Sequence, residues 1–297
     1  MIRFLLPFAF LWAVTPATVS ADLSTKDARK TIQTMLGASL PSDAVRVDRI
    51  SAGAEGSAEA TAEIQTVFRA RQVDGLWHLR EVRTGQDRWE QLELIAQALG
   101  ATLPSGSCDA PSEFVHRASA TELNVKRARC LVAELLGVTL PSDQVRIRDV
   151  SSLELPLGSE PSALIEVLVQ VEFRFARDAH GWQVSEFKSG GREWTRIDTL
   201  GTALNDVKRA AATSELNVIA IALNDFRRER GSFVVSDKES VLIDHLNPHY
   251  LKRVIRLDPW HRPYQYEGAQ DHFSLRSLGA DGKPRTGDDV TVSGTPQ

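Results

Sequence analysis

The sequence lacks the short motifs that most enzyme active sites carry. It has no Gly-x-Ser-x-Gly elbow, no His-Glu-x-x-His pair, no phosphate-binding P-loop and no Gly-x-Gly-x-x-Gly loop. Two pairs of carboxylates do recur at matching positions, Glu81 with Glu186 and Asp43 with Asp143. Because each pair belongs to a repeated motif, we expect these side chains to cap turns or form ion pairs. The sequence therefore predicts a protein that is not an enzyme.

Long apolar runs are also missing beyond the start of the chain. Residues 1–21 have Arg3, an apolar run up to Val14, and small residues at 19 and 21 before a plausible cleavage point. This pattern is typical of a secretory signal peptide, and the run is too short for a permanent membrane span. We expect an exported protein, periplasmic or extracellular, with no stable membrane insertion after cleavage.

Cysteine is scarce, and neither sign of charge is in large excess. Cys108 and Cys130 are the only cysteines, and an exported chain can join them in a disulfide. The alternative is that Cys130 is a buried helix residue and Cys108 a loop thiol. Without residues 1–21 the chain has 34 basic and 39 acidic residues, a net charge of −5. No basic stripe with interleaved aromatics is present, so nucleic acid is not an expected partner.

Two segments of the chain repeat each other. LGASLPSDAVRV at 36–47 returns as LGVTLPSDQVRI at 136–147, and residues 75–85 match residues 181–190. The offset grows from 100 to 105 between the two blocks, so the second copy carries a small insertion. Duplication explains this pattern. The predicted domains are a signal peptide at 1–21, a first repeat at 22–100, a linker at 101–117, a second repeat at 118–200 and a C-terminal head at 201–297.

Each copy is predicted to contain an opening helix, several strands and an exit helix. In the second copy, apolar residues from Val125 to Leu136 recur near the helical period and stop at Gly137, a suitable helix-ending glycine. Apolar residues at every second position from Ile165 to Phe173 predict a strand. The fold class is therefore α+β, with two tandem small repeats of a helix and an antiparallel sheet. By architectural analogy, cystatin-like and nuclear-transport-factor-like domains share this layout.

Tryptophans recur in both copies. Trp77 and Trp89 of the first copy correspond to Trp182 and Trp194 of the second. A Trp at a strand position commonly packs a sheet against its helix, and the alternative is that these side chains line a ligand groove.

The segment from Leu257 to Val290 concentrates turn residues, aromatics and carboxylates. It contains DPWHRPYQY at 258–266 and SLGADG at 277–282, followed by Asp288 and Asp289. These motifs are similar to DPWGxPYxY and SLGADG…DD of the type II secretion major pseudopilin and related type IV pilin-like proteins. The resemblance covers about residues 201–294. It implies a head of one helix and a small antiparallel sheet. From the residues themselves, we expect Tyr264 and Tyr266 to pack on apolar side chains of that helix, among them Ile221.

The resemblance also implies a calcium site in the acidic loop. Its ligands would be the carbonyl of Leu278, the carboxylate of Asp281, a carbonyl near Lys283, and a carboxylate of Asp288 or Asp289, with Asp289 preferred. The residues themselves suit a hard cation, because Ca²⁺ accepts 6–8 oxygen ligands and glycine-rich acidic loops can supply them. The alternative is an ordinary polar turn, since Asp-Gly pairs are common in turns.

The chain also departs from the pseudopilin pattern. His261 replaces the Gly that follows Asp-Pro-Trp, and Val234 stands where the family usually has Pro. The long apolar helix with a Glu at its fifth position is not seen at the start, so we do not expect entry into a fibre. The predicted function is that of an exported, non-catalytic protein with a calcium-stabilised pseudopilin-like head. Its expected partners are pseudopilins or other components of a type II secretion or type IV pilus-like assembly. The alternative is a periplasmic or extracellular binder of small ligands or peptides through the repeats.

Overall fold

The computed structural model describes residues 22–36, 41, 43–54, 56–85, 88–104, 108, 122–153 and 160–295. The predicted signal peptide and most of the predicted linker lie outside these residues. Within them the chain forms five helices and eleven strands, with antiparallel strand pairing throughout. The α+β prediction is confirmed.

The first copy contains two helices and four strands. They are α1 (Thr25–Leu36), β1 (Val45–Ala52), β2 (Ser57–Val73), β3 (Leu76–Arg83), β4 (Trp89–Gln91) and α2 (Leu92–Ala98). Ser24 begins α1 by accepting the Asp27 N–H at 3.1 Å. Asp74 and Gly75 both have positive φ, 52° and 82°, as a two-residue hairpin between β2 and β3 requires.

The second copy contains the corresponding elements in the same order. They are α3 (Val125–Leu136), β5 (Val145–Leu153), β6 (Ser162–Asp178), β7 (Gly181–Ser189) and β8 (Thr195–Arg196). The predicted end of α3 is confirmed, because Gly137 has φ 69° and its N–H bonds to the carbonyl of Glu134. The predicted strand at 165–173 is confirmed as the middle of the longer β6.

The two copies form one sheet within the described residues. Its order is β4-β3-β2-β6-β7-β8, with β1 also pairing with β2 and β5 with β6. The long strands β2 and β6 pair from Ser57↔Ala176 to Arg71↔Ser162, and Ile64 pairs with Val169, its own counterpart in the repeat. A pseudo-twofold axis therefore passes through that pair. We call the elements α1 to β8, together with α2, the repeat module.

The core of the repeat module draws on both copies at once. Ile32 of α1, Leu131 of α3, and Ile165 and Phe173 of β6 are buried in a single cluster. Helix α1 packs on β7 of the other copy as well as on its own β1, where Thr31 donates to the carbonyl of Trp182. Each copy thus supplies part of the other's core. The boundaries predicted between the copies remain predictions.

A disulfide joins Cys108 to Cys130, with their Cα atoms 5.9 Å apart. Cys130 lies in α3, so the bond attaches the segment between the copies to the opening helix of the second one. Of the two sequence alternatives, the bonded form is the one found.

The head begins with a helix whose first residues also form the exit helix of the second copy. It contains α4 (Ile197–Arg230), α5 (Glu239–Leu246), β9 (Gln265–Gly268), β10 (Phe273–Ser277) and β11 (Val290–Gly294). Helix α4 begins where the exit helix of the second copy was predicted, continues without a break across residue 200, and ends at Gly231 with φ 82°. The three strands form a sheet of order β11-β10-β9, and α5 is a helix beyond the one expected. None of the helices in the described ranges is both long and apolar enough to cross a membrane.

Candidate metal centre

The Asp-Pro-Trp turn of the head is organised by one buried carboxylate. Asp258 is 3 % exposed, and its Oδ1 accepts the N–H groups of Trp260 and Arg262, both at 2.9 Å. Its Oδ2 accepts the hydroxyl of Ser277, at the end of β10, at 2.6 Å. Because a buried carboxylate needs such partners, this residue fixes the turn against the start of the acidic loop.

Arg262 continues this connection into the acidic loop. Its guanidinium donates to the carbonyls of Gly279 and Ala280, the latter at 3.1 Å. Gly279 has φ 59°, and a Cβ there would meet Asp288. This position therefore requires glycine, both for its backbone conformation and for the close approach of the two ends of the loop.

Oxygen atoms of the acidic loop converge on the hydroxyl of Thr286. The Oγ1 atom lies 2.6 Å from Asp288 Oδ1, 3.0 Å from the Lys283 carbonyl, 3.3 Å from Asp281 Oδ1 and 3.4 Å from Asp289 Oδ1. A hydroxyl carries one proton, so it can donate to only one of these four acceptors at a time. Four of the five predicted ligand residues thus place an oxygen around one point.

The remaining oxygens of the carboxylates hold the backbone of the loop. Asp288 Oδ2 accepts the N–H of Asp281 at 2.9 Å, and Asp289 Oδ2 accepts that of Arg285 at 2.8 Å. The hydrogen bond from Thr286, followed by that from the Asp281 backbone, lowers the pKa of Asp288 to about 2. This carboxylate is therefore negatively charged at neutral pH.

The acidic loop brings oxygens of two kinds together around Thr286. Among the residues that the structure describes, no three side chains of His, Cys, Asp or Glu form a metal site by themselves. Three carboxylate oxygens and a carbonyl nevertheless surround Thr286, and Ca²⁺ accepts both kinds of oxygen. Leu278, the fifth predicted residue, has its carbonyl bonded to the Gly282 N–H at 3.2 Å and is not one of the four.

The aromatic residues of the head pack largely as predicted. Tyr264 and Tyr266 are buried, and their hydroxyls donate to Glu215 at 2.7 Å and to the carbonyl of Val234 at 2.6 Å. Burial, and for Tyr264 also the nearby charge of Glu215, raises the pKa of both hydroxyls above the usual range. The expectation that Ile221 packs under these rings is wrong, because this side chain is 62 % exposed on the outer face of α4.

One of the two repeated carboxylate pairs, Glu81 and Glu186, forms ion pairs in equivalent places of the two copies. Glu81 pairs with Arg69, which lies over the ring of Trp89 at 4.3 Å. In the second copy, Glu186 pairs with Arg174, at 3.0 Å between Oε2 and Nη1.

The ring of Trp194 packs against Arg174, whose guanidinium carbon lies 4.0 Å from the ring centre. Trp77 is 3 % exposed within the core. These tryptophans have packing contacts in the structure, and the cavity beside Trp194 is only about 40 Å³.

A second polar cluster lies where the head meets the repeat module. Glu90 of β4 is paired with Lys208 of α4, at 2.7 Å between Oε2 and Nζ, and the two side chains are only 7 % and 3 % exposed. Arg88 reaches Oε1 of Glu90 at 2.8 Å. The ring of His261 lies 3.4 Å from the same oxygen, in a contact that is not aligned as a hydrogen bond.

Burial alone would raise the pKa of Glu90. The contacts from His261 and Lys208, the charge of Lys208 and the hydrogen bond from Arg88 outweigh burial and lower this pKa to about 2. Sequence reasoning did not find this cluster. One signal was present, since the counterpart of Glu90 in the second copy is Thr195.

Comparison with known families identifies the head. Residues 200–293 match the family model of the type II secretion system (T2SS) protein G. The predicted resemblance is therefore confirmed for the part of the chain that carries α4, the acidic loop and the three-stranded sheet, about a third of its length. No curated protein and no solved structure matches the chain.

Proposed function

We propose that this chain is an exported, non-catalytic protein that acts through protein contacts with a type II secretion or type IV pilus-like assembly. The observation that carries this proposal is the family match of residues 200–293, in a region that folds as a helix on a small sheet. The head would supply the surface for pseudopilins or other secretion components. The repeat module would be an additional body attached to that head.

The proposal includes a calcium ion in the acidic loop of the head. Its support is the convergence of oxygens from Asp281, Lys283, Asp288 and Asp289 around Thr286. The loop has little apolar surface, so an ion that links its two ends would stabilise it. Arg262 orders the start of the loop by donating hydrogen bonds to the carbonyls of Gly279 and Ala280.

Calcium binding is tested by thermal unfolding of the full chain with and without Ca²⁺. A bound ion adds about 2.7 kcal/mol to the free energy of unfolding at a hundredfold excess over its dissociation constant. We expect the stabilisation to disappear in Asp281→Ala and in Asp289→Ala. Asp271→Ala is the matched control, because Asp271 is an exposed carboxylate of the head that bonds to His272. A wild-type protein that Ca²⁺ does not stabilise would contradict the calcium site.

The partner is tested by co-purification with pseudopilins. The full chain, in Ca²⁺, is mixed with a purified major pseudopilin, and the complex is measured by size-exclusion chromatography. We expect binding that weakens when Asp281 is replaced by Ala. No complex with any pseudopilin of the same secretion system would count against the proposed function, even where calcium binds.

A further inference from the structure

The junction between the repeat module and the head is held by charge at its buried centre. The buried apolar side chains form two separate clusters, one in the repeat module and one in the head. Between them lie Glu90 and Lys208, which belong to β4 and α4. At this place the buried polar contact is the ion pair between Glu90 and Lys208.

Each member of this cluster departs from a simple pattern. Glu90 is an acid where the second copy has Thr195, so the carboxylate is particular to the first copy. Lys208 is buried although lysine is almost never buried unless it is paired. His261 has φ 66°, in the left-handed region that favours glycine. The family that the head resembles has Gly at this position. Three residues that are unusual at their positions are thus in contact with one another.

The ion pair contacts α4 far from the start of the helix, where a contact strongly restricts the direction of the helix axis. The helix leaves β8 at Ile197, and Lys208 lies eleven residues further on, about 16 Å along the axis. A contact at that distance from the start fixes the direction of the helix, and the head follows α4. On the head side, the turn that carries His261 is also tied to α4, because Trp260 Nε1 donates to Asn205 at 3.0 Å.

We propose that Glu90, Lys208 and His261 form a polar lock that fixes the orientation of the head on the repeat module. Helices α2 and α4 pack on each other. Apolar contacts alone would let such helices slide at little cost, because burial of apolar area has no direction. An ion pair from which water is excluded is different, since every other orientation leaves a buried charge without its partner. The lock thus selects one arrangement of the two bodies, and its action does not depend on calcium or on a secretion partner.

The test is a distance measurement in the full chain. Spin labels are attached to non-natural residues at two exposed positions, Lys26 in α1 and Asp244 in α5. Pulsed electron paramagnetic resonance then measures the distance between the repeat module and the head. We expect one narrow distance distribution in the wild type and a clearly broader one in Glu90→Gln. The matched control is Asp198→Asn, which removes an exposed ion pair with Arg196 near the start of the same helix and is expected to leave the distribution narrow.

A second variant decides the case where Glu90→Gln fails to fold. Glu90→Thr combined with Lys208→Leu removes both charges, takes Thr from the second copy and leaves no unpaired buried charge. Replacing a buried ion pair by neutral groups is commonly tolerated, so this protein is expected to keep its circular dichroism spectrum. The proposal expects a broadened distribution here too. A folded double variant with a distribution as narrow as that of the wild type would overturn it, because apolar packing alone would then set the orientation.

Discussion

Replacing Glu90 by Gln is expected to make the protein both less stable and less sensitive to acid. In the wild type the pKa of Glu90 is lowered from 4.5 to about 2. A lowered pKa means that the folded state favours the charged form, so its stabilisation is present above about pH 4.5 and is lost as the pH falls through about 2. The shift corresponds to about 3 kcal/mol, and the uncompensated Lys208 makes the loss in Glu90→Gln about 3–5 kcal/mol at neutral pH.

The assay is urea unfolding of wild type and variant between pH 7 and pH 2. Several other carboxylates titrate in the same range, among them Asp288, whose pKa is also about 2. The informative quantity is therefore the difference in unfolding free energy between the two proteins at each pH. We expect this difference to shrink by about 3 kcal/mol between pH 6 and pH 2. A difference that stays constant over this range, or that is below about 0.5 kcal/mol throughout, would refute the assignment of Glu90 as a stabilising buried anion.

Three further predictions concern the cores and the disulfide. Replacing Cys108 and Cys130 by Ser is expected to lower the free energy of unfolding by about 3 kcal/mol, measured in urea, because the bond closes a loop of 22 residues. Residues 22–104 alone are expected to give the circular dichroism spectrum of an unfolded chain, since their core needs strands of the second copy; a cooperative unfolding transition would contradict this. Tyr266→Phe removes the hydrogen bond to a buried backbone carbonyl and is expected to cost about 1–3 kcal/mol in the same urea assay.

The local elements were predictable where one short-range rule applies. Gly137 was predicted to end α3 because glycine accepts a positive φ angle, and Asp74 and Gly75 form a hairpin turn by the same rule. The alternation from Ile165 to Phe173 predicted a half-buried strand, because neighbouring side chains point to opposite faces of a sheet. These rules act within a few residues, and the sequence displays them directly.

Contacts between distant segments were harder to predict. Nothing local indicated that β2 pairs with β6, so the repeats read as two small domains although their apolar residues share one core. The burial of Lys208 could not be predicted either, because its partner is 118 residues away in the sequence. Ile221 fits the helical pattern of the head and is exposed, because the sheet of the head covers only one side of α4.

For the acidic loop, the sequence suggested which residues could act together but not how they are arranged. Asp281, Asp288 and Asp289 were named from the resemblance to the pseudopilin motif and from the glycines beside them, and their role as calcium ligands stays a prediction. The central place of Thr286 was not predicted, because a threonine in a polar loop gives no signal by itself. Its hydroxyl is held by Asp288 and the carbonyl of Lys283, which lie within the loop itself.

The pairing of Ile64 with Val169 has a consequence for how this architecture could arise. Two equivalent strands that meet on a twofold axis present the same edge to each other, as the subunits of a symmetric homodimer do. The repeat module is thus the single-chain form of such a dimer, and a protein with one copy could build the same sheet by association of two identical chains. Two halves that are joined in one chain need no assembly step, and their sequences need not be identical. In this chain only the first half has Glu90, and only the second continues into the head.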